Sequence, residues 1–130
     1  MHGEIDVIIH ATEDYNKVIS SIQRVLGVKI RRMERRDLSG HYGNPLIYCK
    51  IKLDSSQVKG LLKNLNVKMD EADKLYLMNN LDEYFDRNTL YLRIDKQMLC
   101  KDILKLVIND PLRIVIKNIN LERLRKLLFE

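Results

Sequence analysis

The chain has 130 residues, 45% of them hydrophobic and 32% charged, with only 5 Gly and 2 Pro. That length suits a single domain, residues 1–130, with a core of its own, and the composition excludes a disordered or low-complexity chain. No apolar run approaches the roughly 20 residues of a membrane span, and the N-terminal MHGEIDVIIH lacks the basic region of a signal peptide.

Cys49 and Cys100 each fall in an apolar pattern, so buried free thiols in a reducing, cytoplasmic compartment are expected rather than a disulfide. Between Arg24 and Arg36 lie six of the 23 basic side chains and one of the 18 acidic ones, a local +5 equal to the net charge of the whole chain. A focused charge of this kind attracts a polyanion, whereas a dispersed one only favours solubility.

In chain order, Ile5, Val7 and Ile9 alternate with polar residues as in a strand. Thr12 suits an N-cap, Val18, Ile19, Ile22, Val25 and Leu26 recur at helical spacing, and Gly27 suits the end. The period returns to two in VKIRRMERR from Val28, and LIYCKIKL, with Ile47, Cys49, Ile51 and Leu53 on the core side, follows after the turn-like DLSGHYGNP. Two alternating runs around a glycine-containing loop predict a long antiparallel hairpin. Asp54 and Gln57 form a capping-box pattern ahead of Val58, Leu61, Leu62 and Leu65. A further helix is expected from Asp70, using Ala72, Leu75, Tyr76 and then Met78 or Asn79. Leu90, Leu92 and Ile94 then mark a strand, and Asp95 caps a helix through Leu99, Ile103 and Leu106. Leu112, Ile114 and Ile116 form a last strand before a helix capped by Asn120, with a stripe of Leu121, Leu124 and Leu128. This order predicts an α+β fold: an antiparallel or mixed sheet with helices packed mainly on one face.

If Val28 and Ile30 face the core, strict alternation exposes Lys29, Arg31 and Arg35 together, and Lys50 and Lys52 of the partner strand extend the patch. Arginine forks donate two hydrogen bonds to one phosphate; charge that keeps an edge strand soluble is the plainer explanation. His41 and Tyr42, on a loop between Gly40 and Gly43, offer rings for stacking on unpaired bases, although turn chemistry alone also explains the glycines. Catalysis finds little support: His2, His10 and His41 show no metal spacing, and no CxxC, HExxH or phosphate loop occurs. Asp82, Glu83 and Asp86 read as a solvated turn rather than a magnesium site. No catalytic residue, cofactor or metal is expected.

Three segments together resemble an archaeal family of small proteins described as predicted RNA-binding proteins or predicted exosome subunits. They are HATED within Ile9–Asp14, GHYGNPLI at Gly40–Ile47 and LYLRIDKQ at Leu90–Gln97; the turn before the last reads FDRNT, without the glycine expected there. The resemblance implies a fold similar to the ribosomal protein that binds the small RNA of the large subunit, and a role in archaeal RNA metabolism. It also draws attention to Arg93, on the outward face, and to Lys96 at a helix start where a phosphate can dock; Arg93 is equally suited to a structural pairing with Asp95. The expected partner is RNA, held by Lys29, Arg31, Arg35, His41, Tyr42, Lys50, Lys52, Arg93 and Lys96. The alternative is a protein partner, an RNA-processing complex or a second copy, docked on an open sheet face or edge. No membrane partner is expected.

Overall fold

The computed structural model describes residues 1–130 as six strands and five helices. In chain order they are β1 (His2–His10), α1 (Tyr15–Leu26), β2 (Arg32–Ser39), β3 (Pro45–Leu53), α2 (Ser55–Lys68), α3 (Glu71–Asn79), β4 (Phe85–Asp86), β5 (Thr89–Asp95), the single turn α4 (Lys96–Leu99), β6 (Pro111–Lys117) and α5 (Leu121–Leu128). The strands form one antiparallel sheet in the order β2-β3-β1-β6-β5-β4. Alternation decides its two faces: Ile5, Val7, Cys49, Ile51, Leu92, Ile94 and Ile114 are buried against the helices. Each such side chain contributes about 1.5–3 kcal/mol. No helix is long and apolar enough to cross a membrane.

The helices start where a short polar side chain can take up free amides. Asp14, two residues after the expected Thr12, accepts from Lys17 N at 3.2 Å. Asp54 and Gln57 form the expected capping box, and Asn120 accepts from Arg123 N at 2.8 Å. Helix α2 and strand β6 both crowd β1 at Gly3, where a Cβ would stand 3.0 Å from Val58 Cγ2 and 3.3 Å from Val115 O.

Four local expectations are corrected. Residues 28–31 leave the ladder: Ile30 N donates to Gln23 and Gln57 Nε2 donates to Lys29 O, which fastens the segment to α1 and α2. Val28 is still buried, but β2 begins only at Arg32 and alternation is not carried across the unpaired residues. In α3 the inward side carries Asp73 and the buried Leu77, followed by Leu81 just past the helix end, not Ala72, Leu75 and Tyr76; Asp73 accepts from Leu106 N at 3.0 Å and holds a polar group on the inner side. The helix after Asp95 is one turn long, because Leu106 bridges to Ile94 and Asp95 N donates to Lys105 O at 2.8 Å, using that stretch as an edge partner of β5. Ile47 and Cys100 are only half-buried. The turn lacking a glycine places Arg87 and Asn88 at φ 50 and 59, the paired left-handed geometry of a two-residue hairpin.

Candidate nucleic-acid interface

Registers place directly opposite residues on the same side of a sheet, so the helix-free face can be built strand by strand. One row across it reads Arg32, Lys52, Glu4, Val115 and Tyr91; the next reads Glu34, Lys50, Asp6, Arg113 and Arg93. Arg36 and Tyr48 stand opposite each other in a third. Lys52 Nζ lies 3.0 Å from Glu34, whose carboxyl is thereby held below its ordinary range, and Lys50 Nζ lies 3.9 Å from Glu4. Ion pairs open to solvent are weak, so a phosphate can replace either carboxylate at small cost. Tyr48 Oη donates to Asp6 at 3.1 Å.

Arg32, Arg36, Arg93 and Arg113 make no ion pair, unlike Arg24, Arg31 and Arg35. Arg93 and Arg113 are directly opposed across the ladder, an arrangement of like charges that disfavours the folded chain.

The residues expected to act together are not all on this face. Lys50, Lys52 and Arg93 are. Arg35 faces the helix side beside Cys49, its guanidinium 4.6 Å from the centre of the Tyr15 ring and 3.3 Å from Asp37. It cannot share a patch with Lys50 and Lys52, because the unpaired residues 28–31 break the alternation that put them together. Lys29 and Arg31 lie in that unpaired segment, exposed, with Arg31 3.5 Å from Asp54. The residues that the strand pattern missed are Arg32, Arg36 and Arg113; correct strand pairing was the only signal that could have found them. His41 and Tyr42 stand at the tip of the β2–β3 hairpin in a T-shaped pair 4.7 Å apart, and Tyr42 is 87% exposed. Arg93 and Asp95 are not paired; Asp95 caps α4 through Met98 N at 3.0 Å.

Lys96 is also corrected. Its side chain is 1% exposed, with Nζ 2.9 Å from Glu13, 3.2 Å from Asp110 and 2.7 Å from Ile8 O. An ammonium enclosed by two carboxylates and a carbonyl is a structural bond between loops and has no donor left for a phosphate. It joins the HATED and LYLRIDKQ segments: His10 N and Gln97 Nε2 each donate to Glu13 at 2.8 Å, and His10 Nε2 lies 3.1 Å from Asp110. His10, Glu13 and Asp110 have the composition of a metal site, but the Lys96 ammonium occupies the position between the carboxylates.

A six-stranded antiparallel sheet, covered by helices on one side and carrying four arginines without an ion pair on the other, defines an α+β protein with an open, arginine-bearing face. The chain belongs to the family described as RNA binding, whose profile matches residues 4–118. It is 30% identical over 99 residues to the RNA-binding protein PAB1135 of Pyrococcus abyssi, covering 72% of this chain and 64% of that one. The match thus spans less than two-thirds of that relative's length. The uncharacterized protein MJ0213 of Methanocaldococcus jannaschii is 28% identical over 101 residues, which cover 72% of this chain and 67% of the other. Among solved structures, protein SSO0741 of Sulfolobus solfataricus superposes with a TM-score of 0.82 at 28% identity, over 98% of this chain and 97% of that one.

Proposed function

We propose that the chain binds RNA on the open face of its sheet, with phosphates held by Arg32, Arg36, Arg93 and Arg113. Lys50 and Lys52 join them by exchanging a carboxylate for a phosphate, and the exposed Tyr42 ring at the hairpin tip is available for stacking. The observation that carries this reading is the set of four arginines without acidic partners on one helix-free face. Family membership and the name of the P. abyssi relative support the same ligand class. A role in RNA metabolism, beside an exosome or other RNA-processing complex, rests on the sequence resemblance; co-purification that survives ribonuclease is its test.

The four arginines, one phosphate each at about −0.7, give a log–log salt slope near −2.8 on single-stranded RNA, because Lys50 and Lys52 trade one anion for another and add no net counterion release. Affinity then falls roughly fiftyfold between about 50 and 200 mM salt. Anisotropy titrations at several salt concentrations measure this slope, and an affinity indifferent to salt would remove the electrostatic footprint from the account.

A further inference from the structure

The chain after α4 runs along β5, Val107 N donating to Arg93 O at 3.1 Å, and then turns through Ile108, Asn109 and Asp110 into β6. At the crossing, Ile108 is 78% exposed and stands between two hollows in the open face. One, of about 240 Å³, is lined by Tyr91 and Arg93 beside Glu83; the other, of about 400 Å³, is lined by Tyr48 and Arg113 beside Asp6 and Asp110. Each hollow thus pairs an aromatic ring with an arginine that forms no ion pair, and the two arginines are directly opposed on neighbouring strands.

The geometry points to a subsite for two consecutive nucleotides of single-stranded RNA, one on each side of Ile108, with one phosphate on Arg93 and the next on Arg113. This rests on the RNA-binding reading and specifies the state of the RNA. Two opposed guanidiniums repel each other until anions neutralise them, and each fork can donate two hydrogen bonds to one phosphate. Tyr91, 51% exposed, presents a ring face on which a base can stack. A duplex keeps its bases stacked and paired and cannot place them in hollows that flank a protruding side chain.

The test compares a short oligoribonucleotide, single-stranded and as a blunt duplex, on the full chain. With 6 Tyr and no Trp, tyrosine emission reports stacking alongside anisotropy. The single strand should bind more tightly and quench emission. Tyr91→Ala should weaken it about 5- to 150-fold, the range for one lost stacked base, while Tyr91→Phe keeps the affinity. Arg93→Ala should flatten the salt slope by about 0.7. Duplex binding as tight as single-strand binding, or unchanged affinity in both Tyr91→Ala and Arg93→Ala, overturns the subsite. If those two variants bind normally while Arg36→Ala is impaired, the subsite fails and the open-face reading stands. No RNA affinity in the unaltered chain overturns both.

Discussion

Replacing Lys96 with Met removes the ammonium at the centre of the loop-joining network while keeping most of its buried stem. Glu13, beside it, is only 12% exposed, so its carboxylate loses its counter-charge in a dry site. Deleting one partner of a buried pair costs about 3–5 kcal/mol. The low end applies here, because Asp110 is half exposed and returns to water, and Glu13 keeps the donors of His10 and Gln97. About 3 kcal/mol, at an unfolding entropy of roughly 2.1 cal/mol/K per residue, corresponds to a Tm lower by about 11 °C. Thermal melts followed by circular dichroism measure this directly. Adding Glu13→Gln to Lys96→Met should recover at least about 1 kcal/mol, since the stranded charge is gone. A Tm loss below about 3 °C, or strictly additive effects of the two substitutions, would refute the assignment of Lys96 as a buried structural charge.

Burial alone would raise the Asp110 carboxyl, but hydrogen bonds from His10 and Lys96, together with their charges, hold it below its ordinary value of 3.8. Its stabilising contribution is therefore present above about pH 4 and lost as pH falls through the depressed folded value. The Tm gap between the parent and Asp110→Asn should close on acidification over that interval. Replacing Arg87-Asn88 with Asn-Gly relieves a left-handed arginine and should stabilise by about 1 kcal/mol, read as a higher denaturant midpoint with unchanged m. Cys49 is fully buried and burial pushes its thiol up, whereas Cys100 is half-buried. Timed labelling should modify Cys100 first and Cys49 only on unfolding; the reverse order would contradict the packing.

The α+β class, the single-sided helix layer and the phases of β1, β3, β5 and β6 were legible in the sequence, because each of those strands alternates through continuous ladder pairing. The phase of β2 was not. Val28 and Ile30 point inward in a segment tied to helices, and the backbone is free to change parity before Arg32 enters the sheet. The patch assembled by alternation therefore mixed two faces, placing Arg35 where Arg36 stands. Lys96 was unreadable for a different reason: its carboxylate partners come from residues 83 and 14 positions away, and no local pattern signals a buried ammonium. The resemblance did mark the segments that meet there.

Arg35 and Arg36 are neighbours in sequence on opposite faces of the sheet, which makes them the sharpest pair for locating the RNA. Salt titrations of single-stranded RNA binding should be run on Arg35→Ala and Arg36→Ala side by side, with melts to confirm folding. The open-face account predicts a slope flatter by about 0.7 and weaker binding for Arg36→Ala, with the parent's slope retained by Arg35→Ala. The opposite result, a flatter slope for Arg35→Ala and none for Arg36→Ala, would contradict it and move the footprint to the helix side of the hairpin.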